Sequence, residues 1–131
     1  MTSPVRISEA ESVVMRALWE RGEATAEDLV EALAAPTGWQ EATVKTLLNR
    51  LLKKGAIAAE KEGRRFRYRP LLAEEHWILD ESRSLLERLF DGRVAPLVAH
   101  FSRHGALSAT DLAELKRLVQ QLEGNDRDGN D

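Results

Sequence analysis

Residues 39–69, with the sequence WQEATVKTLLNRLLKKGAIAAEKEGRRFRYR, constrain the fold more than any other part of the chain. In the first half of this stretch, four apolar side chains lie within about 60° of the first of them on a helical wheel. They are Val44, Leu47, Leu48 and Leu51. The opposite face is polar and basic, and Gly55 is typical of a left-handed helix end. The sequence therefore predicts an amphipathic helix from about Glu41 to Gly55, with one face in a core.

The second half of the stretch predicts a β-hairpin. Residues 57–62 and 65–69 flank Gly63, and alternation with a period of two places the arginines of the second strand on one side. Phe66 and Tyr68 then lie on the other side, where we expect them to face the core. Pro70 ends the strand.

The charge of this segment differs in sign from that of its surroundings. Residues 41–69 contain nine Lys or Arg against three acidic residues, a net charge of +6, whereas the whole chain has a net charge of −3. The rest of the chain therefore carries −9. Such local concentration of positive charge is expected of a segment that binds a phosphate backbone.

Two shorter helices are predicted before the amphipathic one. Ser8 and Glu11 have the spacing of a capping box at the start of a helix over residues 9–21, and Thr25 caps a second helix that runs to about Ala34. Pro36 and Gly38 follow and break it. Two short helices, an amphipathic helix and a basic hairpin make a winged helix-turn-helix, which we assign to residues 1–72.

In this arrangement the amphipathic helix would lie in the major groove of DNA and the hairpin would contact phosphates. Alternatively, the polar helix face is simply solvated, and the hairpin charges only keep an exposed edge soluble. The candidate DNA-binding residues are Thr43, Lys45, Thr46, Asn49, Arg50, Lys53, Arg64, Arg65 and Arg67.

Residues 73–123 change in character and predict three amphipathic helices, over about residues 73–90, 93–103 and 108–123. Their large apolar side chains are more than about fifty residues can bury alone, which predicts a dimerisation region. Alternatively, these helices pack back onto the N-terminal domain. The candidate dimerisation residues are Leu85, Leu89, Leu97, Phe101, Leu112, Leu115, Leu118, Val119 and Leu122. The polar residues 124–131 are predicted to be a disordered tail.

Several other functions find no support in the sequence. The chain has no cysteine, which excludes disulfides, thiolate metal sites and a thiol nucleophile and suits a reducing compartment. It shows neither a secretion signal nor an apolar run long enough to cross a membrane, so we expect a cytoplasmic protein. His100 and His104 have the spacing of two metal ligands, a weak signal without a third. We predict no enzyme, cofactor or resident metal.

The chain resembles the BlaI/MecI penicillinase-repressor family of bacterial transcription factors, which includes copper-responsive CopY-type members, over about residues 7–122. The resemblance is carried by ISEAESVVMRALWERGEATAEDLVEAL, ATVKTLLNRLLKKGAI, RRFRYRP and LFDGRVAPLVAHF, in this order and spacing. It implies a winged helix that binds an operator and a C-terminal region that dimerises. The cysteine pairs that hold metal in the copper-responsive branch are absent here.

In the penicillinase-repressor branch, a membrane sensor-protease triggers cleavage in the dimerisation region, just before a Phe. By this resemblance the bond lies between His100 and Phe101; the family has Asn at the position of His100. The prediction is a homodimeric repressor of β-lactam-resistance or related stress genes that binds a palindromic operator and is inactivated by cleavage. The alternatives are a winged-helix regulator controlled by a ligand or metal, and a winged-helix protein-interaction module.

Overall fold

The computed structural model describes residues 5–129, with side chains described up to residue 125. It contains six helices and a small antiparallel sheet in these residues. In chain order the elements are α1 (Glu9–Arg21), β1 (Ala24–Thr25), α2 (Ala26–Thr37), α3 (Glu41–Lys54), β2 (Ile57–Glu62), β3 (Arg65–Pro70), α4 (Glu74–Phe90), α5 (Val94–Arg103) and α6 (Ala109–Gly129). The predicted winged helix-turn-helix is confirmed. None of the described helices is both long and apolar enough to span a bilayer.

One core joins the first three helices to the start of the hairpin. Each helix contributes its apolar stripe, and the predicted stripe of α3 is entirely buried. Both capping boxes form, with Ser8 accepting from the Glu11 amide at 3.1 Å and Thr25 accepting from the Asp28 amide at 3.1 Å. The fully buried side chains of largest volume include Met15, Leu18, Leu29, Leu48 and Leu51.

The sheet has the strand order β1-β3-β2, so the hairpin predicted from the sequence gains a third strand. Ala24 pairs with Tyr68 and Thr25 with Arg67. Strand β1 has only two residues, too few to show the alternation that predicts a strand. It is defined by its pairing with β3. In the hairpin turn, a positive φ at Gly63 but not at Arg64 is typical of a type II′ turn.

Helix α2 extends through Pro36 to Thr37, beyond the end at Ala34 that the sequence predicted. A proline in the last turn forfeits only the hydrogen bond that its own amide would donate. The neighbouring residues complete the turn, because the Thr37 hydroxyl donates to the Leu33 carbonyl at 2.6 Å and the Gly38 amide donates to the Ala34 carbonyl at 2.8 Å.

An ion pair between buried Glu11 and exposed Lys54 connects the start of α1 to the end of α3. The Glu11 side chain is 1% exposed, and its Oε1 accepts from Lys54 Nζ at 2.6 Å and from the Ser8 amide at 2.7 Å. The other carboxylate oxygen is buried without a hydrogen-bond partner in the described structure. Burial alone raises the pKa of Glu11, but the hydrogen bonds from Lys54 and Ser8 outweigh it and lower the pKa below its ordinary value.

The chain divides into two compact units between Ser82 and Arg83, inside α4. The sequence predicted a domain boundary at residue 72, at the start of α4. The first turns of α4 belong to the N-terminal unit because Trp77 packs against Trp19, with ring centroids 5.6 Å apart. Trp19 Nε1 also donates to the Leu72 carbonyl at 2.8 Å.

The C-terminal unit contains the rest of α4 together with α5 and α6. Residues 124–129, which the sequence predicts to belong to a disordered tail, continue α6 in this structure, while residues 130 and 131 lie outside the described residues. A glycine inside a helix costs only about 1 kcal/mol relative to alanine. Gly124 has no positive φ and does not end the helix.

We predict that Glu11→Gln lowers the free energy of unfolding of the protein by about 1–3 kcal/mol at neutral pH, because a charge-assisted bond to Lys54 is lost. The pKa of Glu11 is lower in the folded chain than in the unfolded chain. The carboxylate therefore stabilises the fold above the ordinary glutamate pKa, and this contribution is lost as pH falls through the lowered folded value. Urea unfolding at neutral and acidic pH measures both effects.

Glu9→Gln is the matched control, since Glu9 lies in the same first turn of α1 but is exposed. It removes the same charge from the helix terminus without touching Lys54. Equal losses for Glu9→Gln and Glu11→Gln would contradict a stabilising role for the ion pair.

Candidate nucleic-acid interface

Helix α3 presents a continuous polar surface opposite its buried stripe. All six residues of this helix that the sequence predicted to bind DNA are exposed: Thr43, Lys45, Thr46, Asn49, Arg50 and Lys53. The Thr46 hydroxyl donates to the Ala42 carbonyl at 2.9 Å, which leaves its oxygen able to accept. Arg50 and Lys53 form no ion pair with the residues that the structure describes.

The start of α3 lacks a side-chain cap. Gln40 has the extended backbone of an N-cap residue, but its side chain forms no capping hydrogen bond. Its carbonyl accepts from the amides of Thr43 and Val44 at 3.1 and 3.2 Å. The partial positive charge of this helix end is therefore not neutralised by a cap and favours a nearby anion.

The hairpin of β2 and β3 carries the predicted arginines in two different environments. Arg64 and Arg65 are exposed beside the turn. Arg67 is half-buried, with its Nε 2.8 Å from Glu62 Oε2 and its Nη1 3.8 Å from Glu23 Oε1. The hydrogen bond to Glu62 raises the pKa of Arg67 and lowers that of Glu62. Arg67 thus holds the hairpin together as well as adding positive charge to it.

The expectation that both aromatic residues of β3 face the core is correct only for Tyr68. Tyr68 packs against the core, whereas Phe66 is 48% exposed. Phe66 pairs with Lys61 one step from the turn, away from the end of the hairpin where Ile57 joins the core. Alternation in the sequence specifies the face of a strand but not how far the core reaches along it.

A groove of about 160 Å³ lies between α2, α3 and the hairpin. Its polar lining comes from three elements: Glu27 on α2, Glu41 and Lys45 on α3, and Arg64 and Arg65 at the hairpin. Lys45 Nζ lies 2.9 Å from Glu41 Oε1, and Arg65 Nη2 lies 3.6 Å from Glu27 Oε2. A hydrogen bond to Glu41, aided by its charge, raises the pKa of Lys45. The helix surface and the hairpin therefore form one basic surface with carboxylates set into it.

The C-terminal unit has no fully buried side chain among residues 83–125. Of the residues predicted for dimerisation, Leu97 and Leu115 are half-buried. The others are exposed by 37–64%: Leu85, Leu89, Phe101, Leu112, Leu118, Val119 and Leu122. The His100 and His104 rings lie 4.6 Å apart, and no group of three potential metal ligands occurs in the described residues.

Comparison with known proteins identifies the family to which this chain belongs. The sequence model of the family described as "Penicillinase repressor" matches residues 7–121. The chain belongs to the penicillinase repressor family. It is 33% identical to the penicillinase repressor of Bacillus licheniformis over 88% of this chain and 91% of that protein. It is 30% identical to the methicillin resistance regulatory protein MecI of Mammaliicoccus sciuri over 88% and 94% of the two chains. The family consists of transcriptional repressors, which are not enzymes.

The structural comparison covers the N-terminal part of the repressor. Monomeric Bacillus licheniformis BlaI, solved in complex with the blaP half-operator, matches 58% of this chain and 93% of its own, with 36% identity and a TM-score of 0.51. That relative binds DNA through the same fold.

We predict different outcomes for two arginines of the hairpin. Arg64→Ala makes the negative slope of log affinity against log salt shallower by about 1, because one phosphate contact is lost. Arg67→Ala makes the slope shallower by less, because its guanidinium is already held by Glu62 and Glu23, but it lowers the midpoint of thermal unfolding. Salt titrations of duplex binding and circular dichroism during heating measure the two effects.

Arg64→Lys is the control, since it keeps the charge at the turn and is expected to retain the wild-type salt slope. An Arg67→Ala variant that unfolds like the wild type and loses as much of the salt slope as Arg64→Ala would contradict the structural role of Arg67.

Proposed function

We propose that the protein is a homodimeric repressor that occupies a palindromic operator on the chromosome, in the cytoplasm. The observation that carries this proposal is the exposed basic surface of α3 and the adjoining hairpin. The relative solved with a half-operator has the same fold. The genes controlled would be those of β-lactam resistance or a related stress response, as the names of the relatives suggest.

Within this interface the helix and the hairpin would make different kinds of contact with DNA. Thr43, Thr46, Asn49 and Arg50 would reach base edges in the major groove, because α3 exposes them on one surface. Lys45 and Lys53 would lie near phosphates. The arginines of the hairpin would add sequence-independent affinity. The planar guanidinium of Arg50 can donate two parallel hydrogen bonds to a guanine, which makes it the strongest candidate for base selection.

A second copy of the chain would complete the C-terminal unit. Residues 83–125 form three helices without one fully buried side chain, although their apolar residues recur at helical spacing. Burying Leu89, Leu118 and Leu122 against a partner would remove side chains that are 53–64% exposed in the single chain. A symmetric dimer would also place two copies of α3 on successive half-sites.

Cleavage between His100 and Phe101, initiated by a membrane sensor-protease, would separate dimerisation from DNA contact. Both residues are exposed, and the bond lies inside α5 rather than in a loop. Since proteases act on locally unfolded chain, the end of α5 would have to open first. Arg103 is the last helical residue, two beyond Phe101, so a short opening suffices. Removal of α6 would then eliminate the shared apolar surface.

We predict that Arg50→Ala weakens operator binding by about 1–3 kcal/mol and binding to a scrambled duplex much less, because a base contact is lost. The operator is first obtained by selecting bound duplexes from a random pool, and affinities are measured by fluorescence anisotropy. Arg50→Lys keeps the charge without the two-pronged geometry and is expected to lose the same base preference. Equal losses of Arg50→Ala on both duplexes would exclude base reading.

We predict that a chain ending at His100 is monomeric and binds the operator about 10²–10⁴-fold more weakly than the full chain, since the second half-site no longer acts at high effective concentration. Sedimentation equilibrium and operator titration measure the two properties. A chain ending at Glu123 retains the apolar stripe of α6 and serves as the matched control, with dimerisation unchanged.

Leu118→Asp removes the apolar contact without shortening the chain and is expected to be monomeric too. Gln120→Asp, two residues later on the same helix, adds the same single negative charge at an exposed position outside the apolar stripe and is the control. A full-length wild-type chain that sediments as a monomer at micromolar concentration would overturn the dimer proposal, whereas operator selection would still test DNA binding independently.

A further inference from the structure

The cations of the DNA-facing surface fall into two groups. Arg50, Lys53 and Arg64 have no carboxylate within ion-pair distance among the described residues. Lys45 and Arg65, which line the groove between α2, α3 and the hairpin, each have one, from Glu41 at 2.9 Å and from Glu27 at 3.6 Å. Both carboxylates are exposed, with side-chain accessibilities of 61% and 69%. Neither is therefore needed to neutralise a buried charge.

The position of this groove relative to α3 indicates which part of DNA would enter it. Taking Val44 as the origin of a helical wheel, the residues proposed to face bases are centred near Thr46 at about 200°, whereas Glu41 and Lys45 lie at about 60° and 100°. They are on a flank of the helix. When a helix occupies the major groove, its outermost residues face bases and its flanks face the sugar-phosphate backbone. The groove would thus meet a phosphate rather than a base edge.

We propose that Glu27 and Glu41 act as built-in anionic competitors of the DNA backbone and so limit sequence-independent DNA binding. Their carboxylates lie beside Lys45 and Arg65, so they compete with a phosphate for these two cations and offset part of their charge. Glu27 also attracts Lys45 electrostatically, which makes the two carboxylates and two cations one charge cluster. The inference rests on the proposed DNA-binding function.

Non-operator DNA and the operator differ in the contacts that they make with the protein besides those to phosphates. Sequence-independent binding derives almost entirely from cations that neutralise phosphates, so cations held by carboxylates weaken its main source of free energy. Operator binding also has base contacts from Thr46, Asn49 and Arg50, which Glu27 and Glu41 do not touch. The competitors thereby lower the affinity of the repressor for non-operator sites, which offer no base contacts to compensate.

The test compares Glu27→Gln/Glu41→Gln with Glu20→Gln/Glu31→Gln in the full-length chain. Both double variants change the net charge by the same amount, and Glu20 and Glu31 are exposed residues of α1 and α2 that do not line the groove. The probes are a fluorescent scrambled duplex and the duplex selected from a random pool. Affinities for both are measured between about 50 mM and about 200 mM salt.

We expect the Glu27→Gln/Glu41→Gln variant, called the groove variant, to bind the scrambled duplex more tightly than the Glu20→Gln/Glu31→Gln variant, called the control variant. The difference is about threefold to tenfold at the lowest salt. The slope of log affinity against log salt for the groove variant steepens by about 1 to 2, because one or two further phosphates are neutralised. The gain shrinks at high salt, and the base preference in the selected pool stays as in the wild type.

A groove variant that binds the scrambled duplex no more tightly than the control variant would overturn the competitor role. Weaker binding would do so as well, because it would mean that the carboxylates hold the groove in its binding shape. Neither result concerns operator recognition itself. That function fails only if the wild-type chain shows no preference for any duplex in the selected pool.

Discussion

The ion pair between Glu11 and Lys54 is the contact on which the DNA-facing surface depends. It connects the capped first turn of α1 to the last turn of α3, and Glu11 is the most deeply buried charged residue described. A charge in that position must be paired, so its burial requires Lys54 and hence the end of α3 to remain beside it. The apolar stripe of α3 orients the helix about its axis, and the ion pair fixes its position along that axis.

Charge in this protein is separated by function. The N-terminal unit places basic residues on one surface, and the carboxylates near them occupy the groove flank and the hairpin rather than the middle of the exposed α3 face. Arg67 contacts two carboxylates, those of Glu62 and Glu23, and these offset part of the positive charge that it would present to DNA. Arg50, by contrast, lies in the open and can commit both prongs of its guanidinium to a base.

Most of the fold could be predicted from the sequence because its signals are local. Capping boxes at Ser8 and Thr25, the period of the α3 stripe and Gly63 in the hairpin each act within a few residues. Predictions failed where residues far apart in the chain determine a strand or the burial of a side chain. Strand β1 exists because β3 lies beside it, and Phe66 is exposed because the core ends before it.

The sequence by itself determined the winged helix-turn-helix, the basic segment and the choice of residues on the exposed face of α3, because helical and strand periods convert directly into faces. Only the tertiary structure decided that Glu27 holds Arg65, since these two residues are far apart in the chain and meet only after folding. The pair of Glu41 with Lys45 is local, because the two residues lie four apart on one helix. The tertiary structure likewise placed Trp77 against Trp19 and so assigned the start of α4 to the N-terminal unit. Pairings of this kind depend on how elements approach one another, which no local pattern records.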